Sequence, residues 1–311
     1  MSLGVQGQSY IQNTMYNFNR LVYNPATAGT AGGVHMALLG RLQWTGIDGA
    51  PSLTTAAIHA PSQRLSGGLG GFIIGDKLGP LSTIGVNVAY AFHLAIGDDG
   101  ASLNIGVQGG ILQKALNANW RYDPSQGIDP ILGQPFGNFN GSTLVPNLGA
   151  GLYFSLPNDR FYIGLSGQDL LEPSVEGMLL DPNIGEESNV PRSFYVMTGY
   201  KHEFSERVSL QPNIFVRTDG ASFQFDINAI LGIKPLVFGV SHRWKDSFSG
   251  MVGFNMSDRF FMGYAYDYTI SGLNANSDLN SHEIILSYTI PSGEKFKPVE
   301  DNPLDKPPTG F

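Results

Sequence analysis

Apolar and polar residues alternate with a period of two along this chain from about residue 34 to residue 290. Residues 260–270 show the pattern best. One face carries Phe260, Met262, Tyr264, Tyr266, Tyr268 and Ile270; the other carries Gly263, Ala265, Asp267 and Thr269. In 84–96, Ile84, Val86, Val88, Phe92 and Leu94 oppose Gly85, Asn87, Ala91 and His93. In 207–217, Val208, Leu210, Ile214 and Val216 oppose Ser209, Gln211, Asn213 and Arg217, and Phe215 breaks the rule. The last segment sets Ile284, Leu286, Tyr288 and Ile290 against Glu283, Ser287 and Thr289. Strands are expected near 34–45, 52–61, 65–75, 80–96, 101–117, 143–156, 160–169, 193–204, 207–218, 222–232, 235–244, 247–257, 260–270 and 281–290. The chain is therefore all-β.

Composition turns this into a membrane reading. Charged residues make up 14% of the 311 residues, against roughly 25% in an average soluble domain. No run of about 18 apolar residues is present to form a membrane helix. Alternating strands keep mean hydropathy near zero, −0.05 here, while making one face of a closed sheet apolar. The second face is small or uncharged-polar, as suits a lumen crowded with side chains. The expected fold is a transmembrane antiparallel β-barrel of about fourteen strands. Its lumen-side charges would be Arg41, Lys114, Arg217, Asp226, Arg243 and Asp267, because a Lys or Arg facing lipid at mid-depth costs about 2–4 kcal/mol.

The connections separate by length. Segments 118–142, 170–192 and 271–280 are long and rich in Gly, Pro, Asn and Asp, and all three follow odd-numbered strands. Connections after even-numbered strands are short, such as Ser62-Gln63-Arg64, Gly97-Asp98-Asp99-Gly100 and Pro157-Asn158-Asp159. Outer-membrane barrels have long external loops and tight periplasmic turns, which is expected to put both termini in the periplasm. Residues 1–33 are polar and aromatic and are expected to line the lumen or cover its periplasmic mouth. The barrel proper would be 34–290, and 291–311 a proline-rich periplasmic tail, either a docking peptide or a disordered terminus. The opening Met1-Ser2-Leu3-Gly4-Val5 has neither a basic n-region nor an apolar h-region, so the numbering is expected to start near a mature end.

Net charge is −8 with basic residues scattered singly, which argues against nucleic acid. Without cysteine, disulfides, thiolate metal sites and cysteine catalysis are excluded. His35, His59, His93, His202, His242 and His282 fall on six different segments, and neither His202-Glu203 nor His282-Glu283 continues as a zincin motif. Gly67-Gly68-Leu69-Gly70-Gly71 lies within a strand, where glycine relieves crowding or bends the wall rather than cradling phosphate. Asp123, Asp129 and Asp181 are loop carboxylates without the spacing of a calcium loop. No catalytic, cofactor-binding or metal site is expected, and the chain reads as a non-enzyme.

Several strings, in order along the chain, resemble the PorP/SprF family of the Bacteroidetes type IX secretion and gliding-motility apparatus. They are Leu21-Val22-Tyr23-Asn24-Pro25-Ala26-Thr27-Ala28-Gly29, Gln43-Trp44, Asp48-Gly49-Ala50-Pro51 and Asp76-Lys77-Leu78-Gly79-Pro80. Pro146-Asn147 with Gly149-Ala150-Gly151-Leu152-Tyr153, Gly263-Tyr264-Ala265-Tyr266-Asp267-Tyr268 and Ser281-His282-Glu283-Ile284 complete the series. The last strand departs from the pattern, closing on Ser287-Tyr288-Thr289-Ile290 where an aromatic is expected. The resemblance implies an outer-membrane component that supports export or surface anchoring of cargo, often large adhesins with a type B C-terminal domain. It also implies periplasmic partners, either peptidoglycan-binding proteins or type IX machinery. The motifs themselves read first as structural. Asn24-Pro25 and Ala50-Pro51 set extended or turn backbone, Gly79-Pro80 makes a tight external hairpin, and Tyr264, Tyr266 and Tyr268 face lipid near the aromatic girdle. Two rival readings are a passive channel or hydrophobic-ligand transporter of the fatty-acid type, and a soluble all-β binding protein.

Overall fold

Every alternating segment forms a strand that pairs with its neighbours in chain order. The computed structural model describes residues 11–119, 138–175, 189–271 and 279–292, with the backbone alone for 118, 119 and 138–140. Its first half contains β1 (Gly33–Thr45), β2 (Ser52–Ser62), β3 (Gly67–Leu78), β4 (Leu81–Ile96), β5 (Ala101–Asn119), β6 (Asn138–Ser155) and β7 (Phe161–Gln168). The second half contains β8 (Ser193–Tyr200), β9 (His202–Glu203), β10 (Val208–Thr218), β11 (Phe223–Ile233), β12 (Leu236–Arg243), β13 (Ser247–Asn255), β14 (Phe260–Thr269) and β15 (Asn280–Pro291). β9 continues β8 against β10, so the fifteen strands make fourteen staves.

The sheet closes where β1 meets β15, from Gly33 opposite Pro291 to Leu42 opposite His282. All pairings are antiparallel. Closure matters because hydrocarbon offers no water to satisfy a free strand edge. The outward face carries exposed Leu38, Ile84, Val88, Leu144, Val240 and Ile284, the composition lipid requires. Inward neighbours are buried and mostly polar or small: Thr55, Asn87, Asn104, Gln108, Asn213 and Ala265.

Three sequence expectations shift in detail. β5 and β6 run on to Asn119 and Asn138, inside the segment read as loop 118–142, because the two strands pair up to Asn119 opposite Asn138. The strand expected at 193–204 is interrupted at Lys201, whose N–H donates to Arg160 O instead of joining the ladder. Phe215, which breaks the alternation of β10, is buried in the lumen and stacks on Tyr16 with ring centroids 4.4 Å apart. An aromatic on the polar face therefore marks a partner inside the barrel.

The connections 120–137, 169–192 and 270–279 leave one end of the barrel, together with the short 79–80 and 244–246. The other end carries 63–66, 97–100, 156–160, 204–207, 234–235 and 256–259. Asp123, Asp129 and Asp181 lie outside the described residues.

Candidate functional site

The lumen is occupied by the chain's own residues 11–32, which thread it from one end to the other. Ile11 and Gln12 lie at the long-loop end: Arg217 Nη1 donates to Ile11 O at 3.2 Å, and Gln12 Nε2 to Asp246 Oδ2 at 3.0 Å. Gly32 O accepts from Ser292 N at 3.2 Å, at the short-turn end where β1 begins. Between them run three 3₁₀ turns, Tyr16–Phe18, Arg20–Val22 and Pro25–Thr27. Met15, Tyr16, Leu21, Val22, Tyr23, Asn24, Ala26 and Ala28 are all buried. Residues 1–10 and 293–311, the two termini expected in the periplasm, lie outside the described residues.

The first half of this plug is held by charge. Arg41, Arg217 and Arg243 face Asp226, Asp267 and Glu283, and all six are at most 3% exposed. Three buried arginines are set against three buried carboxylates, with Asp246 a fourth at the cluster's edge, and buried charge is tolerated only where it is paired in this way. Arg41 Nη1 lies 2.7 Å from Asp267 Oδ2 and 3.1 Å from Glu283 Oε2. Arg243 reaches Asp226 at 3.2 Å, Asp246 at 3.3 Å and Asp267 at 3.5 Å. The plug supplies donors to the anions. Glu283 accepts the consecutive backbone N–H groups of Thr14 (2.9 Å) and Met15 (2.7 Å), and Thr14 Oγ1 donates to Asp267 Oδ1 at 2.7 Å.

The second half is held by shape. Asn24 precedes a 3₁₀ turn with Pro25 in its first position, where proline's missing N–H and fixed φ are tolerated. Its side chain accepts from Ala26 N at 2.9 Å and donates to Leu152 O at 3.0 Å, so one residue caps the turn and ties it to β6. The wall retreats to admit it. A methyl at Gly106 would overlap the Ala26 backbone, and one at Gly151 would overlap Asn24 Oδ1. Tyr23 packs edge-on against Tyr195 and Phe215, and its carbonyl accepts from Ser166 Oγ at 2.7 Å. Arg20 leaves the core to reach the short-turn end. Its Nη1 lies 2.7 Å from both Asp159 Oδ2 and Tyr153 Oη, and its guanidinium covers the Tyr162 ring at 4.0 Å. At the exit, Gly29 N donates to His59 Nδ1 at 3.0 Å and His93 Nε2 donates to Ala28 O at 2.8 Å.

The sequence motifs divide between three places. Tyr23, Asn24 and Pro25 are the heart of the plug. Gln43 is buried, and Trp44, at φ +53°, occupies the irregular register between Leu42 and Thr45, where its N–H donates to Ser281 Oγ at 3.2 Å. Asp48, Gly49 and Pro51 form the β1–β2 turn on the long-loop rim. Gly49, at φ +78°, accepts through its carbonyl from Gly79 N at 3.0 Å, and Pro80 O in turn accepts from Asn117 N at 2.8 Å. Two motifs far apart in sequence thus form one rim. Asp76 faces inward below it. On β14 and β15 a single motif serves both faces. Asp267 and Glu283 enter the charge cluster, whereas Tyr264, Tyr266 and Tyr268 are exposed outward, and Tyr264 Oη lies 2.7 Å from His282 Nδ1.

Of the six lumen charges expected, five join that cluster; Lys114 makes no ion pair among the described residues. The glycine run of β3 bends to a new reason, since Gly68 and Gly70 adjoin the plug at Ala28 and Leu21. Sequence reading missed Glu283 as a plug-holding carboxylate, and also Thr14, Arg20 and Asp159. A charged Glu on the inward face of a strand whose outward face carries Ile284, Leu286 and Tyr288 was the available signal. Three histidines from different strands also converge, with His35 and His59 rings 5.2 Å apart and His59 and His93 both bonded to the plug's exit. Among the described residues no three metal-ligating side chains, these histidines included, are placed to hold a metal ion together.

A family model described as type IX secretion system membrane protein PorP/SprF matches residues 5–288. The chain belongs to the PorP/SprF family. The match indicates no enzyme family, and it makes this barrel an outer-membrane component of type IX secretion. No curated protein matches the chain. Among solved structures, this PorP/SprF barrel is similar to the P. putida toluene transporter TodX, at 11% identity and TM-score 0.48, over 88% of this chain and 94% of that one. It is also similar to the Ralstonia pickettii toluene transporter TbuX, at 14% identity and TM-score 0.46, over 87% and 93%. The Acinetobacter baumannii outer membrane protein Omp33 matches at 8% identity and TM-score 0.45, over 83% and 99%.

Proposed function

We propose that this PorP/SprF chain is a plugged outer-membrane platform that supports export or surface anchoring of cargo without itself conducting it. The observation that carries the reading is the plug. Residues 11–32 are built into the lumen by a set of buried ion pairs on one side and a steric seat on the other. A diffusion pore needs a continuous aqueous path; a wall this committed to its plug is suited instead to presenting surfaces. The long connections 120–137, 169–192 and 270–279 would then face the cell exterior and meet cargo such as an adhesin's type B C-terminal domain. The short-turn end, with the chain beyond Ser292, would face the periplasm and meet a peptidoglycan-binding protein or type IX machinery. Outer-membrane lipid surrounds the apolar wall.

The test is purification of the complex from outer membranes in mild detergent, through an affinity tag on a long connection. Co-purification of an adhesin C-terminal domain or of a periplasmic peptidoglycan-binding protein is the expected result. A lone barrel recovered from several mild detergents contradicts a stable anchoring role.

A further inference from the structure

β6 runs unbroken for 18 residues against β5, from Asn138 opposite Asn119 to Ser155 opposite Ser102. Its other edge is covered only in its short-turn part. β7 pairs with it from Ala150 opposite Gly167 to Ser155 opposite Tyr162, and Leu170 N–H makes a last contact with Leu148 O at 3.0 Å. There the chain peels away. Asp169 sits at φ +55°, and Val175 and Val190 pack inward on Leu112 and Val145. Backbone groups alternate between the two edges of a strand, so with Leu148 turned towards β7, Ser142, Leu144 and Pro146 turn the same way. Among the described residues no backbone group accepts the Ser142 and Leu144 N–H groups on that edge.

The open stretch lies at the membrane surface. Outward residues of the β5–β6 hairpin change character at Leu144, opposite Gln113. Towards the short turns, Ile105, Val107, Ile111, Leu148 and Leu152 are exposed and apolar. Towards the long loops, Gln113, Asn117 and Ser142 are exposed and polar. The hydrocarbon boundary therefore crosses β6 near Leu144, itself 67% exposed. On the lipid side of that boundary the edge is blunted, because Pro146 has no N–H to leave unpaired. On the far side the donors are kept. Edges that avoid pairing carry charge, stop short or bulge. β6 has no charged residue from Asn138 to Ser155, and it pairs with β5 without a register shift.

A row of free donors and acceptors at strand spacing is matched by another extended backbone. We propose, building on the reading of the long-loop end as the cargo-facing one, that Ser142–Pro146 is a docking edge where an extended segment of an exported protein adds as a strand beside β6. Its backbone would bond Ser142 and Leu144, and an apolar side chain on its outward face would lie beside Leu144. Recognition through main chain lets cargoes of different sequence share the edge.

The experiment is amide hydrogen exchange on the full chain in nanodiscs, with and without an adhesin's type B C-terminal domain, with binding of the domain measured in parallel. Ser142 and Leu144 should exchange fast in the chain alone and at least about tenfold more slowly with the domain bound. Leu144→Pro deletes an edge donor that β5 does not use and should weaken binding by about tenfold. Leu144→Ala keeps that donor and should bind as the unaltered chain does. Heat-dependent migration in SDS reports whether each variant is a folded barrel; should Leu144→Pro fail it, Ser142→Pro carries the same test. Binding with both amides still fast, full affinity in folded Leu144→Pro, or equal loss in Leu144→Ala overturns the docking edge and leaves the platform reading standing. Slow exchange in the chain alone also overturns it, since the edge is then already covered by this chain or a second copy. No binding of the domain overturns both.

Discussion

The two halves of the plug are seated by different physics. Thr14 and Met15 are clasped by carboxylates that are themselves balanced by arginines on β1 and β12, so their position is set by donors, acceptors and charge. Asn24 and Ala26 are seated where the wall lacks side chains, so their position is set by volume. The difference teaches how the same lumen can hold an irregular peptide without strand pairing. A charged clasp specifies register but carries a desolvation cost. A glycine seat costs little on a strand but accepts one backbone path. Each compensates for what the other lacks.

The largest expected effect comes from breaking the clasp. Asp267→Ala leaves Arg41 and Arg243 facing a vacancy and removes Thr14's acceptor; loss of one partner of a buried pair costs about 3–5 kcal/mol. Thermal or denaturant unfolding of the purified barrel reads it. Adding Arg41→Met should recover part of the loss, because an uncompensated buried charge is removed with it. Next is the seat. Gly106→Leu forces side-chain atoms into the Ala26 backbone, an overpacking worth about 1–3 kcal/mol, and no charge substitution should rescue it. Hydrogen exchange at Ala26 and Ala28 should rise in this variant more than at Thr14 and Met15, and the reverse should hold for Asp267→Ala. Equal exposure of both segments in both variants would show that the plug moves as one unit. Smaller again is Asn24→Ala, which removes the cap of one 3₁₀ turn and a tie to β6, at about 1–2 kcal/mol. Smallest is Tyr264→Phe on the outer face. It deletes a hydroxyl contact with His282 and should stay within about 0.5 kcal/mol, as surface changes do.

Fold was legible because the membrane imposes a period. Residues facing lipid must be apolar and their neighbours need not be, so β4, β14 and β15 announce themselves by alternation alone. Break points were less legible. β5 and β6 continue through asparagine-rich sequence because a hairpin beyond the bilayer is freed from the lipid rule, and Lys201 interrupts a strand for a backbone contact that no local pattern encodes. The lumen charges could be named individually, since lipid excludes them, but not their partners: Arg41 and Glu283 are 242 residues apart in sequence and adjacent only once the sheet closes. Phe215 was visible as an exception without a cause, and the glycines of β3 read only as relief of crowding or a bend in the wall. The cause is the plug, whose own segment has no period to read.

A barrel sealed by residues 11–32 should not conduct ions, and single-channel recording of the purified full chain in a planar bilayer tests that most directly. The unaltered protein should be silent, and Gly106→Leu should show discrete conductance steps once its seat is blocked. Steady open-channel current from the unaltered protein, unchanged by Gly106→Leu, would contradict the plug as a seal and return the chain to the channel reading.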